Sequence, residues 1–131
     1  FSEDFIFVRP KKDAHKPVPK PEILREMRLL LLEEGHCFRD QALAFCKTAS
    51  APPRDMMSGS SLSTLVQMVS AGIGVTLIPE MALAVEQRSA SVAVAAFDPP
   101  RPSRTIGMIW RKKNPLKDHF EQISKFIRKP T

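Results

Sequence analysis

The sequence predicts an α/β fold with a mostly parallel sheet flanked by helices, and three observations carry that prediction. Short apolar runs alternate along the chain with stretches of helical periodicity, the order that lays strands side by side through helical crossovers. The run Leu29-Leu30-Leu31-Leu32 has no polar face, as a strand covered on both sides requires. Leu62, Leu65, Val66 and Val69 fall at i, i+3, i+4 and i+7, one face of an amphipathic helix, and a strand-like run ending at Pro79 follows.

In chain order, Phe5-Ile6-Phe7-Val8 is aromatic and β-branched and reads as a strand, and the Pro- and Lys-rich stretch Arg9 to Pro21 reads as loop. Glu22 to Met27 has the composition of a helical turn, and the Leu29 to Leu32 strand is ended by Glu33-Glu34-Gly35. Arg39 to Lys47 is built from good helix formers. Thr48 to Gly59, with two Pro and a Gly, reads as loop with room for one short strand. Ser60 or Ser61 offers an N-cap for the 62–69 helix, and Gly72 stands where a left-handed C-terminal cap belongs. Ile73 to Ile78 is a strand stopped by Pro79, with a short helix expected over Glu80 to Gln87. Val92 to Phe97 and Thr105 to Arg111 are the remaining expected strands. Leu116 to Arg128 closes the chain as a helix with Leu116, Phe120, Ile123 and Ile127 on one face.

At 131 residues, 43% hydrophobic and 26% charged, the chain is long enough for one respectable core or two small lobes. No apolar run approaches the roughly 18 residues of a membrane span, and no leader pattern precedes Phe1, so the expected compartment is cytoplasmic and no membrane partner is expected. The absence of an initiator Met, with a strand-like run at the very start, reads as a fragment of a longer protein. A net charge of +6 raises the question of nucleic acid, but the tightest basic clusters are only Lys11-Lys12 and Arg111-Lys112-Lys113, which fits a solvated basic surface better. Neither an internal repeat nor a low-complexity tract is present.

The most informative segment holds the only two cysteines, Cys37 and Cys46, nine residues apart. Cys46 is expected on a helix and Cys37 at or just before its start. Over nine helical residues the chain rises roughly 13 Å and turns by about half a circle, whereas a disulfide needs Cα atoms within roughly 7 Å. A bond between these sulfurs therefore requires the segment to remodel. In a cytoplasmic chain a permanent bridge is disfavoured, leaving inert core thiols, a metal site or a transient redox pair. Zinc is a poor fit, because Cys-x8-Cys beside one His matches no usual ligand spacing and His15 and His119 are remote. No metal and no cofactor are expected. His15 and His119 read as surface residues, and Met56, Met57, Met68 and Met81 as core or loop fillers.

Three stretches resemble the effector domain of LysR-type transcriptional regulators, which has a periplasmic-binding-protein-like fold of two lobes. Phe1-Ser2-Glu3-Asp4-Phe5 is similar to the start of the second lobe. Ser61 through Pro79, with Ser61-Leu62-Ser63-Thr64-Leu65, Ala71-Gly72-Ile73-Gly74 and Leu77-Ile78-Pro79, matches the general family signature. Gly35-His36-Cys37-Phe38-Arg39-Asp40-Gln41-Ala42 through Phe45-Cys46 narrows the likeness to the family's peroxide-sensing branch, and Arg104-Thr105-Ile106-Gly107 agrees. The resemblance covers nearly the whole chain. It implies a second lobe over residues 1–104 carrying the redox segment. Residues 105–131 would be a returning strand and helix belonging to the first lobe, and the DNA-binding domain would lie outside this chain.

The resemblance further implies that Cys37 is the peroxide-reactive thiol and Cys46 resolves its sulfenic acid in a reversible disulfide, with His36, Arg39, Asp40 and Arg104 supporting the site. A family histidine in the loop after the resolving cysteine is matched here by Met56. Implied partners are hydrogen peroxide, a second copy or three in a homodimer or tetramer, promoter DNA through the other domain, RNA polymerase, and a reducing protein such as glutaredoxin or thioredoxin. Peroxide attack needs a thiolate, which Arg39 and a helix N-terminus would favour and Asp40 would oppose unless it caps the helix or holds Arg39. Phe38, Leu43 and Phe45 are the apolar side chains expected to repack. The protein is then a regulator and not an enzyme; a thiol peroxidase reading lacks the usual Cys-x-x-Cys. The rival reading is a metabolite-binding lobe, with an anion near Ser61 and Thr64 at a helix start, although capping alone accounts for Ser61.

Overall fold

The structure, a computed structural model, describes residues 1–46 and 55–128. Its longest strand, β1 (Ser2–Pro10), forms because Glu3, Phe5 and Phe7 alternate onto one buried face while Asp4 and Ile6 stay partly open. β1 lies between β4 (Thr76–Pro79) and β5 (Val92–Ala96), with Phe7 facing Leu77 on one side and Ala95 on the other. Its first residues pair instead with β6 (Ser103–Thr105). β2 (Arg28–Leu32) and β3 (Asp55–Gly59) pair in parallel, and a parallel bridge from Leu29 to Val75 joins them to the start of β4. The sheet therefore runs in the order β3, β2, β4, β1, β5.

Helices α1 (Pro21–Leu24), α2 (Cys37–Cys46), α3 (Leu62–Ser70) and α4 (Leu83–Ser89) fill the crossovers, and α5 (Lys117–Ile127) ends the described chain. The core gathers Phe5, Phe7 and Val8 with Leu29 to Leu32, Leu65, Val66, Val69, Leu77 and Ile78. Each fully buried Leu or Phe contributes roughly 1.5–3 kcal/mol, which is why the four consecutive leucines fix β2 inside the layers. Ser61 caps α3 by accepting from the Thr64 N–H at 3.2 Å, and Gly72 closes it with φ +81°, a conformation open to glycine at little cost. A 3-10 turn over Glu80–Ala82 precedes α4, so the helix expected from Glu80 starts later.

Two expectations change. The sheet is mixed rather than mostly parallel, because β1 is antiparallel to each of its partners. From β2 to β5 each successive strand is separated by a helix, and β2, β3, β4 and β5 do share one direction. β1 runs opposite to them, and apolar periodicity carries no record of strand sense. The strand expected over Thr105 to Arg111 is also absent: β6 stops at Thr105. After Ile106, whose N–H donates to the Phe1 carbonyl at 2.8 Å, no strand among the described residues lies beside the chain. Apolar alternation cannot build a ladder without a neighbour, and Ile109 is left 98% exposed. α5 forms as expected yet buries none of its residues; Trp110 and Phe120 meet at 5.8 Å between ring centroids. Thr48 to Arg54, most of the expected 48–59 loop, lies outside the described residues, and its end is the strand β3.

Candidate functional site

Both cysteines are free, and they are the first and last residues of α2. A separation of nine helical residues places them on opposite sides of the helix, and the surroundings follow: Cys37 is exposed, Cys46 fully buried. The turn from β2 into α2 depends on Gly35, whose φ of +95° a side-chain-bearing residue adopts only at a cost. The His36 N–H donates to the Glu33 carbonyl, and the Arg39 N–H to the His36 carbonyl at 3.0 Å, so Cys37 stands at the mouth of the turn.

Phe38, Ala42 and Cys46 form the buried stripe of α2. Phe38 is held edge-on by Phe5 with ring centroids 5.0 Å apart, and the Arg104 guanidinium lies over the Phe38 ring, 5.5 Å from its centroid. Arg104 is itself fixed by Glu3, which accepts from its Nε at 2.7 Å and receives the Met81 N–H on the second carboxylate oxygen at 3.1 Å. At the other end of α2, Phe45 meets Phe97 at 5.0 Å, and Phe97 meets Phe7 at 5.6 Å. The helix is thus anchored by an aromatic ring beside each cysteine.

Burial pushes the Cys46 thiol up to about 11, because a thiolate there would lose its water without gaining a partner. At neutral pH that sulfur is a protonated core side chain. Arg39 donates to the Leu32 carbonyl at 2.8 Å and to Ser58 Oγ at 3.3 Å, tying the helix start to the carboxyl ends of β2 and β3. Asp40 is exposed and neither caps α2 nor holds Arg39: among the described residues its side chain makes no hydrogen bond or ion pair. It sits one turn into the helix, too late to reach the free N–H groups at its own start as a cap would, and Arg39 points back under the turn. The His36 side chain is exposed.

Ser61 and Thr64 come together at the start of α3, their hydroxyl oxygens 3.1 Å apart, and both are exposed. Ser58 lies on the same stretch of backbone, so the α3 start and the Arg39 turn share one edge of the sheet, beyond the carboxyl ends of its parallel strands, where α/β folds usually place their sites. Met56 is on β3 opposite Leu29 and partly exposed. His15 and His119 are exposed, and no group of three metal-ligating side chains gathers among the described residues.

Glu3 is the site residue that sequence reasoning missed. A signal was available: it shares the period-two face of Phe5 and Phe7, and a carboxylate on a buried face needs a cation.

Comparison with known proteins follows the same lines. The family model for the LysR substrate binding domain matches residues 1–129. The Escherichia coli K12 protein named as the DNA-binding transcriptional dual regulator OxyR is 41% identical over 111 residues, covering 85% of this chain and 36% of that protein. An OxyR mutant from Corynebacterium glutamicum solved with H2O2 bound superposes with a TM-score of 0.83 at 31% identity, covering 95% of this chain and 41% of that one. The reduced OxyR regulatory domain of Pseudomonas aeruginosa gives a TM-score of 0.79 at 32% identity, over 95% of this chain and 61% of the other. The chain spans little over a third of the Escherichia coli relative.

Proposed function

The chain belongs to the LysR substrate binding domain family, and from that membership and the arrangement of its cysteines we propose that it is the hydrogen-peroxide-sensing part of a LysR-type transcriptional regulator. The observation that carries the reading is the opposition of the two sulfurs on α2, one open to solvent and one in the core. Similar proteins named as hydrogen peroxide-inducible genes activators, and the OxyR mutant solved with H2O2 bound, point the same way.

The chemistry is a two-step oxidation. The Cys37 thiolate attacks one oxygen of hydrogen peroxide, the O–O bond breaks, and a Cys37 sulfenic acid and hydroxide result, the hydroxide taking up the proton the thiol had released to become water. Cys46, once drawn out of the core and deprotonated, attacks the Cys37 sulfur, breaks its S–O bond and expels hydroxide, which takes up the proton Cys46 gave up and leaves as the second water, with a disulfide remaining. Two thiols and one peroxide thus become one disulfide and two waters. Because the sulfurs start on opposite sides of a wound helix, α2 must open. The chain-entropy model credits closure of a loop of about ten residues with roughly 2.7 kcal/mol, comparable to the packing of one aromatic anchor. Phe38 and Phe45 are the contacts given up. Arg104, reaching Phe38 from β6, would feel that loss first.

Around this device the proposal places a homodimer or tetramer whose interface shifts as α2 repacks, promoter DNA bound through a domain outside this chain, RNA polymerase as its target, and a glutaredoxin or thioredoxin to reset the disulfide. Residues 105–131 would return to a first lobe, in keeping with the open apolar side chains of Ile109 and Phe126. The protein would work in the cytoplasm; no helix among the described residues is long and apolar enough to cross a membrane.

The test is thiol counting with peptide mass spectrometry after one equivalent of peroxide. The two free thiols should fall to none, with the Cys37–Cys46 bond within one molecule, and Cys37→Ser should abolish the change. Survival of both thiols overturns the proposal. For the rival metabolite lobe, nothing at Ser61 and Thr64 goes beyond what capping of α3 explains.

A further inference from the structure

A pocket of about 490 Å³, lined by no residue of α2, lies between the end of β1, the loop that follows it and α1. Its walls are largely apolar, with Phe7, Val18, Ile23 and Met27, and the exposed Lys20 stands on its edge. One cation is built into the wall. Arg9 is only 6% exposed, and its guanidinium sits 5.7 Å from the Phe7 ring centroid.

Arg9 is tied to the loop by two hydrogen bonds, from one terminal nitrogen to the Pro17 carbonyl at 3.3 Å and from the other to the Ala14 carbonyl at 3.1 Å. Its Nε–H is buried with no acceptor. No carboxylate pairs with Arg9 among the described residues, and the nearby Asp13 is taken by Lys16 at 2.8 Å. A guanidinium cannot shed its proton to escape burial, so a cation placed here without a counter-charge is costly. Of the five N–H donors such a group presents, two go to those carbonyls and the Nε–H is enclosed, so the second hydrogens of the two terminal nitrogens are the ones left to meet a guest.

From these features we propose that the pocket is a binding site for a small monocarboxylate with an apolar body. Arg9 is the buried cation of the lining and has no carboxylate of its own among the described residues, which calls for a negative charge in the guest. The planar fork of Arg9 matches a carboxylate better than a point anion, and the side chains of Val18, Ile23 and Met27 bury a hydrocarbon or aryl group. The volume falls in the range of small-molecule sites, roughly 300–1,000 Å³. None of Cys37, Cys46, Ser61 and Thr64 lines the site, and the proposal holds whether or not those cysteines respond to peroxide.

Benzoate and hexanoate, each beside its neutral amide, are the probes for titration of the full chain, read by the NMR signals of the Arg9 Nε–H and the Ile23 and Met27 methyls. The acids should move all three sets of signals and bind at least about tenfold more tightly than the amides, the value of one charge-assisted pair. Arg9→Lys, which keeps the charge and loses the fork, should weaken the acids. Because Arg9 also ties down its loop, Ile23→Trp serves as the second variant: it fills the pocket from an exposed position, leaves Arg9 in place, and should block both acids. The proposal is overturned if neither acid moves these signals at millimolar concentration, if the amides bind as well as the acids, or if the shifts persist unchanged in Ile23→Trp.

Discussion

The guanidinium carbon of Arg104 lies 5.5 Å from the centre of the Phe38 ring while its Nε donates to Glu3 at 2.7 Å. Arg104 belongs to β6, Glu3 to β1 and Phe38 to α2, so one cation joins the sheet to the residue that follows Cys37.

Arg104→Gln should destabilise the fold by about 3–5 kcal/mol, because the Glu3 side chain, 1% exposed, is left as a buried charge without its partner. Glu3→Gln combined with Arg104→Gln should cost less than the two single changes added together. Urea denaturation of the four proteins measures this, and strict additivity would remove the coupling.

The two thiols should alkylate at very different rates in the reduced protein. Iodoacetamide should modify Cys37 readily and Cys46 only when the chain opens, since one is exposed and the other buried as a protonated thiol. Mass spectrometry of timed samples reads the order, and equal rates would contradict the placement of Cys46.

Stability should fall as the solution is made alkaline. The Cys46 thiol holds its proton up to about 11 when folded, while in the unfolded chain it ionises near its ordinary value of 9.0. Between those values the unfolded state has released a proton that the folded state keeps, so raising the pH favours unfolding; below them the thiol is protonated in both states and the effect vanishes. Cys46→Val should flatten this part of the stability curve in thermal melts between the two values.

Ser61→Ala should cost about 1 kcal/mol, the usual value of an N-cap, and leave the loss of thiols to peroxide unchanged. A matched comparison of melting and thiol titration in the one variant separates a cap from a residue the redox chemistry needs.

Local features were legible because local residues cause them. Ser61 and Gly72 mark the two ends of α3 by chemistry within a few positions, and the unbroken leucines of β2 announce a strand with two covered faces. Cys46 on α2 and Cys37 at its start followed from the helix-forming composition of Arg39 to Lys47, and the separation of their sulfurs from helix geometry. Relations set by the third dimension were not legible. The sense of β1 depends on how it meets β4 and β5, and the strand forecast for 105–111 failed for want of a neighbour. Arg104 came into view only through family resemblance, and its tie to Glu3 spans a hundred residues that no window joins. Asp40 looked electrostatically important from its nearness in sequence to Cys37, yet Arg39 is spent on Leu32 and Ser58 instead.

The half-turn between the ends of α2 has a kinetic side. An oxidised Cys37 sulfur would face the surrounding water for as long as the helix stayed wound, and during that interval a dissolved small thiol competes with Cys46 to capture it. Which mixed or internal bond results is then a race, timed by how fast Phe38 and Phe45 let go, rather than a choice written in either sulfur.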